Sequence, residues 1–153
     1  MNNTKTIIGL ISIINEKSSQ YINEELRRKE IKNIINSHGT IFSLLYGSKG
    51  RITINEIVSK TGKRKSTITD MVKKLEKLGY ISKEKNKDDA RIIEITLTES
   101  GWKFKESFKE ISNNLLDKTY FDFTEEEKEL LVTLLRKVRK NFLTEENKNW
   151  QFF

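Results

Sequence analysis

Residues 53–97, TINEIVSKTGKRKSTITDMVKKLEKLGYISKEKNKDDARIIEITL, decide how this chain is read. Thr53-Ile54-Asn55-Glu56 has the form of a capping box, with a hydroxyl for the N3 amide and a carboxylate that returns to the cap amide. Ile54, Ile57 and Val58 then give an apolar stripe at helical spacing, and Thr61-Gly62-Lys63 ends the helix because Gly can take the left-handed conformation of a C-terminal cap. A second helix is predicted from Arg64 or Lys65 to Leu78, carried by Ile68, Met71, Val72, Leu75 and Leu78, with Gly79 as its stop. At about 100° per residue these apolar side chains share one side, leaving Ser66, Thr69, Asp70, Lys73 and Lys77 centred on the other.

Tyr80–Lys85 and Arg91–Leu97 have the β-branched, alternating character of two strands, joined by the polar Asn86-Lys87-Asp88-Asp89-Ala90. A two-stranded ribbon is marginal alone, so Ile93, Ile95 and Leu97 are expected to pack on the helices. Arg91 then stands at the tip, where an arginine can enter a minor groove while a neighbouring carboxylate aims its guanidinium. The short hydroxyls and lysine donors of the second helix suit base edges in a major groove. An isolated amphipathic helix is more often a solvated surface. The adjoining ribbon tips the reading to a winged helix-turn-helix, a module that binds duplex DNA.

Four motifs now stand in order: Lys65-Ser66-Thr67-Ile68-Thr69, Leu75-Glu76-Lys77-Leu78-Gly79-Tyr80, Asp89-Ala90-Arg91 and Leu97-Thr98-Glu99-Ser100-Gly101. Together they resemble the MarR family of bacterial transcription regulators. The resemblance implies helical dimerisation parts around a winged helix, the second helix in the major groove and the wing arginine in the minor groove. By it Asp89 and Arg91 match the family's Asp-x-Arg wing, and Ser66, Thr67 and Thr69 its recognition-helix start. The expected DNA-contacting set is Arg64, Lys65, Ser66, Thr67, Thr69, Asp70, Lys73 and Lys77 of the helix with Asp89 and Arg91 of the wing.

Composition points the same way. The net charge is +7, and residues 60–91 alone hold eleven Lys/Arg against five Asp/Glu, a net of +6, so nearly all the excess sits on the proposed DNA-binding segment. That favours a polyanion over a generally basic surface. Hydrophobic residues at 35% against 33% charged permit only a modest core, which a partner chain would complete. The absence of Cys excludes disulfides, thiolate metal sites and a cysteine-based peroxide sensor, and one His without Cys makes no ordinary zinc site. No cofactor is expected. Zero Pro favours long helices.

Residues 4 to about 28 are predicted as one helix with a nearly heptad stripe of Ile7, Ile11, Ile14, Ser18, Tyr21 and Glu25. Its apolar start has little to cover it except a second subunit. The same start lacks a small-residue cleavage site and is too short to span a bilayer, so a cytoplasmic, soluble protein without membrane contact is expected. Ser37-His38-Gly39-Thr40 precedes a helical face of Ile41, Phe42, Leu44, Leu45 and Tyr46, and Arg51-Ile52 offers a third strand. For His38 a locally bonded helix-start role is favoured over a ligand-binding or pH-sensing one.

Thr98 is the expected N-cap of a long helix carrying Trp102, Phe104, Phe108, Ile111, Leu115 and Leu116, an aromatic stripe better suited to packing than to a cofactor. Thr124-Glu125-Glu126-Glu127 is a second capping box, opening a helix with Leu130, Leu131, Leu134, Leu135, Val138 and Phe142. Thr144 to Glu146 would start a last segment ending in Trp150, Phe152 and Phe153.

The whole is read as one unit, 1–153, mainly α with a small β-wing: residues 4–36 and 99–153 form the helical dimerisation part and 37–98 the winged helix. The expected protein is a homodimeric, sequence-specific DNA-binding regulator, a repressor of an inverted-repeat operator whose affinity a small-molecule effector changes. The effector and its binding residues are not legible. The rivals are a nonspecific or architectural DNA-binding protein and a winged protein-interaction module. An enzyme is the weakest, for want of a phosphate-type Gly loop or a distinctive carboxylate pair.

Overall fold

A single 3-10 turn at Thr4–Thr6 leads into a 22-residue helix, α1 (Ile7–Arg28). The computed structural model describes residues 4–144, so the last segment, expected to start at Thr144 to Glu146, lies from Glu145 onward outside the described residues, with the aromatics Trp150, Phe152 and Phe153. After a second 3-10 turn at Asn36–His38 come α2 (Gly39–Gly47), β1 (Arg51–Thr53), α3 (Ile54–Thr61) and α4 (Lys65–Lys77). The ribbon β2 (Ile81–Lys85) and β3 (Ile93–Leu97) follows, then α5 (Glu99–Thr119) and α6 (Glu125–Lys140). The expected class, mainly α with a small β-wing, is the class observed.

All three strands are antiparallel in the order β1-β3-β2, so Arg51-Ile52 does supply the third strand, with Ile52 opposite Ile95. One sheet face turns Ile52, Ile81, Ile95 and Leu97 to the core. On the other, Ser82 and Thr96 share a 2.7 Å hydroxyl bond across the ladder.

The ribbon is shorter than the alternation suggests, beginning at Ile81 rather than Tyr80 and resuming at Ile93 rather than Arg91. The Tyr80 amide closes the end of α4 onto the Leu75 carbonyl at 3.1 Å. Across the loop the Ile92 amide turns back to the Asp89 carbonyl at 3.0 Å instead of pairing across the ribbon, so β3 resumes only at Ile93. α2 likewise starts at Gly39, before the apolar face at Ile41, because the turn at Asn36–His38 feeds straight into it.

Eight residues are too few for a helix to persist alone in water. α3 is held by burying Ile57 completely against Ile68, Val72 and Leu75 of α4, each also fully buried. Each such side chain contributes about 1.5–3 kcal/mol. Phe42 of α2 occupies the centre, with ring centroids 4.7 Å from Phe104 of α5 and 5.7 Å from Tyr80 ahead of the wing. One aromatic thus packs the DNA-reading elements onto the long C-terminal helix.

α6 buries nothing completely within the chain: Leu130, Leu134 and Leu135 stay exposed, as do Ile7, Ile8, Leu10, Ile13 and Ile14 of α1. Among the described residues no helix is long and apolar enough to cross a membrane.

Candidate nucleic-acid interface

Local chemistry builds the α3-turn-α4 unit as the sequence indicates. Thr53 Oγ1 accepts from the Glu56 amide at 3.1 Å and Glu56 Oε2 accepts from the Thr53 amide at 2.8 Å, closing the capping box. Those backbone and hydroxyl bonds to Thr53 hold the Glu56 carboxyl below its usual range. Gly62 ends α3 at φ +65°, the left-handed conformation expected of it, and Lys63 and Arg64 carry the chain into α4.

Turned away from the core, α4 exposes Lys65, Ser66, Thr67, Asp70, Lys73 and Lys77, with Arg64 exposed at its N-cap. Lys74 is exposed as well, a cation that helical spacing alone sets to one side of that face. Thr69 is half-buried and its hydroxyl donates to the Lys65 carbonyl at 2.8 Å, so toward a groove it has only acceptor capacity left. Glu76 on the flank of α4 pairs with Lys83 of β2 at 2.8 Å and ties helix to ribbon.

The wing departs from expectation in one respect. Rather than aiming the Arg91 guanidinium, Asp89 uses its Oδ1 to accept from the Arg91 backbone amide at 2.9 Å. An amide two residues on is the partner a short carboxylate reaches most easily in a tight turn. The carboxylate therefore shapes the backbone beneath an exposed Arg91. Asn86, in sequence only the first residue of a polar loop, does more: its Oδ1 accepts from the amides of Asp88 and Asp89 at 2.8 and 3.0 Å, and its Nδ2 donates to Glu94 Oε1 at 2.7 Å. An Asn opening a polar run between two strands is the available signal.

His38 is buried, and its Nδ1 accepts from the Ile35 amide at 3.1 Å, the locally bonded role favoured above. Burial first and the Lys74 charge second push its pKa below 6.5. Beside it opens a cavity of about 1070 Å³ between α1, α2 and α5, which also meets Thr61 and Lys63 at the end of α3. Ile22, Leu26, Phe104, Phe108 and Ile111 give it apolar walls, and Ser18, Asn36 and Ser112 polar points. Among the described residues no group of three or more His, Cys, Asp or Glu side chains is placed to hold a metal.

Fold and site together define a winged helix-turn-helix protein. The MarR family model matches residues 38–93, from the turn before α2 into the wing. The HTH-type transcriptional regulator SarZ of Staphylococcus haemolyticus is 37% identical over 91 residues, 60% of this chain and 60% of its own length. The chain thus spans about 60% of the length of that relative. The uncharacterized HTH-type transcriptional regulator YwhA of Bacillus subtilis is 30% identical over 122 residues, covering 80% of this chain and 85% of its own. Among solved structures, the ligand-free organohalide-sensing regulator RdhR-CbdbA1625 superposes with TM-score 0.84 at 20% identity, over 100% of this chain and 90% of that one. A point mutant of MarR from E. coli, complexed with operator DNA, gives 0.75 at 22% identity over 90% and 99%. At these identities the structures speak for the fold. The chain belongs to the MarR family, a family of transcriptional regulators rather than enzymes.

Proposed function

We propose that this protein is a homodimeric, sequence-specific DNA-binding repressor, working in the cytoplasm on an inverted-repeat operator and released by a small ligand. The observation that carries the reading is the exposed face of α4, with Ser66, Asp70, Lys73 and Lys77 standing clear of the core beside a wing that ends in Arg91. In it, α4 lies in a major groove with Lys73 and Lys77 toward guanine edges or phosphates, and Arg91 enters the adjacent minor groove. Arg64, Lys65, Ser66, Thr67, Thr69 and Asp70 complete the helix contact, and Asp89 keeps the wing turn in shape.

The exposed leucines of α6 and isoleucines of α1 support the dimer, since patches of this kind on a folded chain mark a surface that another chain covers. On this reading residues 4–36 and 99–153 are the dimerisation part and 37–98 the DNA-reading part. Two copies of α4 would then stand about one helical turn, roughly 34–36 Å, apart on one side of the duplex. Support for the ligand comes from the cavity, which touches both α5 and the end of α3. A compound that binds better when the half-site spacing is wrong for DNA lowers operator affinity by that difference.

Selecting bound duplexes from a random pool tests specificity, symmetry and spacing together. An inverted repeat preferred by about 10³ or more over scrambled duplex is the expected result, whereas equal affinity for every sequence would make the protein architectural.

A further inference from the structure

Glu84 of β2 and Glu94 of β3 are direct partners across the ladder. Like charges so placed repel and would loosen the ribbon where it enters the wing loop. Arg51 of β1 relieves this: its guanidinium lies 2.9 Å from Glu94 and 3.7 Å from Glu84. The Glu94 side chain is only 14% exposed while that of Arg51 is 54% exposed, so the bonds to Glu94 are the better shielded from salt. With one carboxylate oxygen on Arg51, Glu94 uses the other to accept from Asn86 Nδ2.

The orientation of that side-chain amide is fixed by chemistry. Two backbone N–H groups, of Asp88 and Asp89, point at one end of the Asn86 side chain, so the oxygen must face them and the nitrogen must face Glu94. From Asp89 the chain of bonds continues through its carboxylate to the Arg91 amide. The Asn86 backbone N–H also donates to the Ile92 carbonyl at 2.9 Å and closes the loop from the other side. A continuous set of hydrogen bonds thus runs from the strand ahead of α3 to the tip of the wing.

We propose that Arg51, Glu94 and Asn86 are positioning residues for DNA binding: they hold the wing tip so that Arg91 meets the minor groove without having to order its loop on binding. The inference rests on the DNA-binding reading above and adds the residues that prepare the wing for it. Pre-ordering of this kind raises affinity by removing the entropy of fixing the loop at the moment of contact.

The test uses the full chain and the duplex recovered by selection. Asn86→Asp keeps an oxygen for the two loop amides and sets a carboxylate against Glu94. It should leave circular dichroism unchanged, speed amide exchange across residues 86–92, erase minor-groove protection under the wing and weaken binding about tenfold, the scale of one charge-assisted hydrogen bond. Combined with Arg91→Ala it should cost nothing beyond Arg91→Ala alone. The double variant Asn86→Asp/Glu94→Gln swaps donor and acceptor at unchanged net charge, and it should restore slow exchange and affinity together. Equal binding by Asn86→Asp, losses that simply add to those of Arg91→Ala, or no recovery in the swap would each overturn the relay. A wild-type protein that binds no duplex would overturn the DNA reading and the relay with it.

Discussion

Gly101, in the first turn of α5, lies directly beneath the main chain of Tyr80, so closely that a Cβ there would overlap the Tyr80 carbonyl oxygen. The same junction is pinned by Thr98, whose hydroxyl accepts from the Gly101 amide and donates to the Gly79 carbonyl at the end of α4. One threonine therefore starts α5 and finishes the helix-turn-helix. Gly101→Ala should force the two backbones apart and cost about 1–3 kcal/mol, the range for overfilling a packed site. Gly47, whose added Cβ would meet nothing within 4 Å, is the control: Gly47→Ala should unfold in urea at the wild-type midpoint or above it.

The α4 face makes a graded claim. If Lys73 reads a base, Lys73→Ala should cost about 1–3 kcal/mol in operator binding and relax preference at one position of the half-site. A smaller, sequence-independent loss would assign Lys73 to phosphate. Titration against mutated operators separates the two.

Arg91 is judged by salt. Arg91→Ala should weaken binding and flatten the plot of log affinity against log salt, by about 0.9 for each phosphate neutralisation lost. Identical isotherms for wild type and variant at several salt concentrations would remove Arg91 from the interface.

His38 predicts an acid-side loss of stability. Its folded pKa is lowered, by burial and then by Lys74, so the folded state resists a proton that the unfolded chain accepts near 6.5. The stabilisation is complete above 6.5 and is lost as pH falls through the lower, folded value. Protonation would also remove the Nδ1 acceptor from the Ile35 amide. Urea midpoints at fixed protein concentration, from about pH 8 down to pH 5, should fall more steeply in the wild type than in His38→Gln. Parallel curves would mean that His38 is not the group responsible.

The exposed face of α6 is testable by size. Leu134 is 50% exposed within one chain, so Leu134→Glu should leave the fold of a single chain intact while burying a charge between two. Sedimentation should find wild type dimeric and Leu134→Glu dissociating at least about tenfold more readily, the factor that 1.4 kcal/mol represents. A wild type that sediments as a monomer at high concentration would remove the dimer from the proposal.

Much of this molecule follows from local rules that need no fold. The caps at Thr53, Thr98 and Thr124, the stop at Gly62 and the apolar spacing of Ile68, Val72 and Leu75 are each settled within a few residues, so the order of elements and the winged-helix class are open to reading along the chain. The lysine and serine face of α4 follows from the same spacing, being whatever the core does not take. Tertiary structure alone decided the rest, because it turned on partners far apart in sequence. Which carboxylate meets which guanidinium, that Asn86 reaches Glu94, that Asp89 bonds a backbone amide rather than the arginine side chain, and that a cavity opens between α1, α2 and α5 all depend on how sheet and helices cross in space. Short side chains find the nearest donor that the backbone presents, and that is known only once the backbone has been folded.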